Sequence, residues 1–119
     1  MSHYQGRILT FGRRMGRALT PERQKLVEEL LPQITINPSD LSQGWQIPPQ
    51  ELQLEIGFGR GDHLAVRAQN NPHIGYIGCE PFVNGVAHLL KLIKQHNIDN
   101  IRMWTDDARI LLDQVPAHS

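Results

Sequence analysis

The sequence predicts an α/β fold whose strands run parallel in a doubly wound sheet. Three observations carry that expectation. From residue 51 onward, short apolar runs alternate with stretches that space their apolar residues as helices do. The joints between them hold Gly, Asn or Pro, the residues that end regular structure. The first run opens into Leu54-Glu55-Ile56-Gly57-Phe58-Gly59-Arg60-Gly61, a glycine-rich turn at the place where an open α/β sheet forms its ligand crevice. The order strand, helix, strand, helix, strand, helix implies right-handed crossovers between parallel neighbours.

Each element follows in order. Residues 1–19 form a basic arm. Across residues 1–25 stand Arg7, Arg13, Arg14, Arg17, Arg23 and Lys25 against Glu22 alone, in a chain whose overall charge is zero. The rest is correspondingly acidic. A basic arm on an acidic body suits a nucleic-acid ligand, and Arg13, Arg14 and Arg17 are the expected phosphate contacts; a solvated tail explains the arm equally well. Residues 20–50 hold one helix and an irregular linker. Thr20-Pro21 starts the helix as N-cap and first-turn proline, with Glu22 suiting its dipole. Leu26, Val27, Leu30 and Leu31 form its apolar stripe, and Pro32 stops it. Residues 36–50, with three prolines and a glycine, read as a connection without regular structure.

Residues 51–119 form the α/β unit. Leu52, Leu54 and Ile56 alternate as a strand. Residues 62–70 read as a short helix closed by Asn70-Asn71-Pro72, and 74–79 as a second strand. Residues 83–96 carry Val86, Leu89, Leu90 and Ile93 on one helical face, with Asn97 as the stop. Residues 101–105 read as the third strand and 108–115 as a last helix.

The chain has 119 residues, enough for one domain, and 39% are hydrophobic, enough for a core. A lone cysteine, Cys79, excludes an internal disulfide and reads as a small buried hydrophobe. No apolar run approaches the ~18–20 residues that span a bilayer, and the N-terminus has no signal-peptide core. A reducing, cytoplasmic setting without membrane or metal partners is expected.

The chemistry concentrates at strand ends. A dinucleotide fingerprint needs Gly-x-Gly-x-x-Gly; here the third glycine comes one place early, and Asp62 stands where it is expected. Glu55 before the first glycine would oppose a pyrophosphate. It suits a cationic or hydroxyl-bearing ligand, such as an adenosyl group with an amino-acid tail. Glu80 ends the second strand, where a carboxylate can accept from both ribose hydroxyls. Asp106-Asp107-Ala108 ends the third, within reach of an adenine amino group. Asp residues at such places also serve as N-caps, the reading favoured for Asp62. His63, near the loop, is a catalytic candidate but is expected to be packed or solvated, His88 and His96 to lie on the helix surface, and Trp104 to pack. No nucleophile–base–acid arrangement is legible.

The runs LEIGFGRGDHL, YIGCEPFVNGVAHLLKLI and NIRMWTDDARILL, with FGRRMGRALTPERQ before them, closely resemble the bacterial tRNA guanine-N7-methyltransferases. The first run alone would indicate only a class I methyltransferase; the others make the resemblance specific. It implies a Rossmann-like class I sheet, S-adenosyl-L-methionine as cofactor and tRNA as partner, with methyl transfer to N7 of a variable-loop guanine. By the same resemblance Glu55, Gly57, Gly59 and Gly61 hold the methionine end, Glu80 the ribose, and Asp107 with Ala108 the adenine. Such enzymes continue into further strands and a Pro-Asp-Pro-Trp-type motif with an acidic residue used in substrate binding and catalysis. That motif has no match here. The chain therefore reads as the N-terminal half, with no catalytic residue of its own, weak or absent cofactor binding and no methyl transfer alone. The first strand would present an open apolar edge, and self-association through it is expected. Other readings are a non-catalytic nucleotide-binding or assembly half-domain, a small-molecule methyltransferase, and an NAD-dependent half-domain disfavoured by Glu55.

Overall fold

A computed structural model describes residues 17–113; the expectations for Arg13 and Arg14, and for the last helix beyond residue 113, lie outside the described residues. The order is α1 (Pro21–Glu29), α2 (Leu31–Ile34), β1 (Glu51–Ile56), α3 (Asp62–Asn70), β2 (Ile74–Cys79), α4 (Val83–His96), β3 (Ile101–Trp104) and α5 (Ala108–Leu112). The three strands form one parallel sheet in the order β1-β2-β3. Glu55 lies opposite Gly78 and Ile56 opposite Cys79, so the strand ends that carry chemistry come out level.

The register explains the two layers. Tyr76, Ile101 and Met103 share one face and pack with α1, α3 and α4 around Leu64, Val86, Leu89 and Leu90. Leu54, Ile77 and Cys79 share the other face and pack with Ile36, Trp45, Trp104 and Leu111. Period-two alternation places each set. α4 is the central helix of the first layer. Val86, Leu89 and Leu90 are wholly buried, and each contributes about 1.5–3 kcal/mol by leaving water. Asn97 ends α4 in the left-handed conformation, φ 53°, as its position suggests. Asn100 ties the layer's base together: its side-chain amide donates to the carbonyls of Ala68 (3.0 Å), Asn71 (3.1 Å) and Ile74 (2.9 Å).

Thr20 caps α1, its hydroxyl accepting from the Arg23 N–H at 3.3 Å. Pro32 does not act as a stop. α1 has ended at Glu29, and Pro32 occupies the first turn of α2, where its missing N–H costs nothing. β3 ends one residue earlier than expected, at Trp104. The linker has no regular element but is no idle connection. It opens with a parallel bridge between Thr35 and Met103, and the Ile36 N–H donates to the Met103 carbonyl at 2.9 Å. It then covers the second face, where the buried Arg102 donates to the Gly44 carbonyl (2.6 and 2.8 Å) and lies 4.9 Å from the centre of the Trp45 ring.

Candidate functional site

The crevice is built at the carboxyl ends of the strands. The turn after β1 is held in the left-handed region at Gly57 (φ 72°), Gly59 (φ 64°) and Gly61 (φ 82°), a conformation a side chain would strain. The Gly57 N–H donates to the Cys79 carbonyl at 2.7 Å, which fastens the loop to β2. Phe58, 8% exposed, anchors it into the first layer. A methyl group at Gly57 or Gly59 would meet nothing within 4 Å, so the outer side of the loop faces open space.

Glu80 holds the loop from across the crevice. One carboxylate oxygen accepts from the Gly59 N–H at 2.9 Å, the other from the Phe82 N–H at 3.2 Å. Glu55 is half-buried and ion-paired with Arg67. That guanidinium also stands 5.8 Å from the Tyr76 ring centre. Asp107 caps α5, accepting from the Arg109 N–H at 2.9 Å, and takes the Arg109 guanidinium at 2.7 Å. The pairing raises the Arg109 pKa above its usual value. Ala108 begins the same helix and packs on the second-face cluster. Thus Glu55, the loop glycines, Glu80, Asp107 and Ala108 all stand at or just beyond the carboxyl ends of the three parallel strands.

Other expectations divide. Cys79 is buried, and burial pushes its thiol up to about 11, so it is protonated and inert at neutral pH. His63 and His96 are exposed. Trp104 packs, its indole N–H donating to the Asp107 carbonyl at 2.9 Å. Asp62 is not a cap: Gly61 is the N-cap residue of α3, and no side chain caps it. The Asp62 carboxylate instead lies 3.1 Å from His88 Nε2 and 3.5 Å from Arg60 Nε, partners that lower its pKa. His88 is not on the surface. It is 9% exposed, because the packing of α1 against α4 covers that side of the helix. Arg17 is exposed, and its carbonyl accepts from the Asn84 side chain at 2.7 Å, which docks the end of the arm on α4.

One site residue has no signal in helical periodicity. Gly85, in the first turn of α4, faces the loop so closely that a methyl group there would sit 2.0 Å from the Gly59 carbonyl oxygen. A glycine inside an otherwise good helix pattern is the clue that could have found it. A separate cleft of about 1070 Å³ lies at the other end of α4, lined by Lys25, Leu30, Lys91, Lys94 and Asn97 among others; it shares no residue with the crevice. Among the described residues no group of His, Cys, Asp and Glu is arranged to hold a metal, and no helix is long and apolar enough to cross a membrane.

Known proteins match the sequence along most of the chain. Enzymes called tRNA (guanine-N(7)-)-methyltransferase are similar in Nitrobacter hamburgensis (44% identical over 92% of this chain and 45% of the relative). Those of Rhodopseudomonas palustris HaA2 (43%, 98% and 46%) and Agrobacterium fabrum (43%, 92% and 49%) match comparably. The chain thus spans about half the length of the curated relatives it matches. A family model described as "Putative methyltransferase" matches residues 49–119, the whole of the sheet and its crevice, and to that methyltransferase family the chain belongs.

Proposed function

We propose that the chain forms the cofactor-binding part of an S-adenosyl-L-methionine-dependent enzyme that methylates N7 of a guanine in tRNA, acting in the cytoplasm. The observation that carries this reading is the loop-and-carboxylate cradle: a turn held by three left-handed glycines, of which Gly57 and Gly59 face open space, with Glu80 holding the Gly59 N–H at 2.9 Å from the next strand end. The names of the relatives supply the substrate.

The residues present fit the cofactor. Gly57 and Gly59 keep side chains out of the space its methionine end would fill, Gly61 lets the loop close against Leu89, and the Glu55 carboxylate would take the ammonium of that tail in exchange for Arg67. Glu80 uses each oxygen for one N–H; a carboxylate accepts about four hydrogen bonds, so it retains capacity for two ribose hydroxyls. Asp107 and Ala108 would border the adenine. Asp107 would then exchange the 86%-exposed Arg109 side chain for the base. The bound cofactor supplies an electrophilic methyl group. Guanine N7 already has a lone pair, so the protein's task is alignment rather than proton transfer. That accords with a crevice lined by glycines and carboxylates instead of a nucleophile and base. Arg13, Arg14 and Arg17 would contact tRNA phosphates, and such binding weakens steeply with salt.

Amide NMR of the labelled chain, titrated with S-adenosyl-L-methionine and in parallel with NAD, tests the reading. Weak but saturable shifts at the loop glycines, Glu80 and Asp107 are expected with the first ligand. Glu80→Gln should weaken them by about tenfold, the worth of a hydrogen bond to a charged group. A dispersed spectrum in which those peaks ignore S-adenosyl-L-methionine, or follow NAD instead, overturns it.

A further inference from the structure

Behind the glycine loop lies a cluster that the crevice does not use. His88 sits one turn beyond Gly85 on the same face of α4, so it stands beside the loop that Gly85 touches. Its two ring nitrogens face two different arginines. Nδ1 is 3.3 Å from Arg23 Nη2, on α1, and Nε2 is 3.2 Å from Arg60 Nη2, on the loop. Asp62 lies 3.1 Å from the same Nε2.

Charge does not balance in this cluster. Asp62 is the carboxylate in range, and it pairs with Arg60 at 3.5 Å. Among the described residues Arg23 has the imidazole as its side-chain partner and no carboxylate within ion-pairing distance. The ring cannot satisfy both arginines. With its proton on Nε2 it donates to Asp62 and accepts from Arg23 on Nδ1, and it has no lone pair left for Arg60. Arg60 therefore keeps most of its five N–H donors unspent, on a side chain that is 70% exposed. The two guanidinium groups stand at the two nitrogens of one imidazole, and with Asp62 the cluster carries one excess positive charge, which suits a phosphate.

The location adds the occupant's direction. Asn84, one turn before His88 on the same face, holds the Arg17 carbonyl. Arg17 is therefore held on α4 one turn from the cluster at His88, where Arg23 and Arg60 meet the helix. We propose that Arg23 and Arg60, braced by His88, form a binding site for a phosphodiester of the RNA backbone at the shoulder of the cofactor loop. The proposal rests on the tRNA reading above. It adds a contact outside the arm that ties substrate to the loop through Arg60.

The experiment measures tRNA binding to the full chain as a function of salt, beside a DNA duplex of equal charge. The wild-type plot of log affinity against log salt should flatten by about 0.9 in Arg60→Gln, and likewise in Arg23→Gln, as one phosphate contact is lost. The double variant should flatten no further, because both side chains hold the same phosphate. Asp62→Asn should tighten binding. Lys94→Gln, at the far cleft, should change nothing. Unchanged slopes in both arginine variants, additive losses in the double variant, or an equal loss in Lys94→Gln overturn the site while leaving the tRNA reading intact. DNA bound as tightly as tRNA, with the same slope losses, keeps the site and removes the reading on which it rests.

Discussion

Gly85 shows how one hydrogen atom in place of a methyl group fixes the loop. By helix propensity alone, alanine in the interior of α4 should stabilise by about 1 kcal/mol. The structure reverses that sign, because the added carbon would lie 2.0 Å from the Gly59 carbonyl oxygen, a backbone atom with little freedom to yield. Gly85→Ala is expected to destabilise by about 1–3 kcal/mol, as overpacking does, and to displace the loop from Glu80. Urea unfolding midpoints check the first part and the Gly59 amide shift the second. A variant more stable than wild type with an unmoved Gly59 peak would refute the close approach. The same scale explains what the sequence could and could not say about the site. The glycines at 57, 59 and 61 were legible because positive φ has a residue signature. Glu80 was legible as a strand-end acid. His88 was misread because helical spacing assigns a face but not what covers it, and the covering helix α1 is more than sixty residues away in sequence.

At the scale of elements, the linker is where composition misleads. Prolines and a glycine in residues 36–50 correctly exclude a helix or strand. They say nothing of Arg102, a charged residue within β3 that fastens the linker. It is 6% exposed, and burial lowers its pKa, opposed by nearby Asp99. Its donors reach the Gly44 carbonyl twice, Asp99 at 3.2 Å and Ile101 at 2.7 Å. Removing the side chain strands those acceptors beneath Trp45. Arg102→Ala is expected to cost about 2–4 kcal/mol, combining lost charged hydrogen bonds with lost packing, and to expose the linker to protease. Arg102→Lys should recover little, since one ammonium cannot span a forked contact and lie flat on an indole. Thermal unfolding with limited proteolysis checks this pair. Full rescue by lysine would mean that charge alone, and not the planar fork, holds the linker. The α/β elements themselves needed no such long-range knowledge. α3, β2 and α4 begin and end where Asn, Pro and Gly punctuate them, because those boundaries are set by local backbone chemistry.

At the scale of the whole molecule, the sheet is covered unequally at its two edges. Beyond β3 the chain supplies its own cover, since Thr35 bridges to Met103 and α2 packs there. Beyond β1 no strand pairs among the described residues, and Ile56 at its crevice end is 55% exposed. A strand with free N–H and C=O groups and apolar side chains is a template for another strand. Self-association of the chain through β1 is the expected outcome, rising with concentration in sedimentation velocity. Ile56→Lys should reduce it, because a charge at the edge must be desolvated or repelled when two copies pair. Val66→Lys tests whether the effect belongs to the edge: Val66 is as exposed, at 53%, but lies on α3. Equal loss from both would mean that general surface hydrophobicity drives association. Loss from Ile56→Lys alone would place it at β1, the edge that also bears Glu55. Cofactor binding and association would then compete for the same end of the strand, and added S-adenosyl-L-methionine should shift the sedimentation profile toward the monomer.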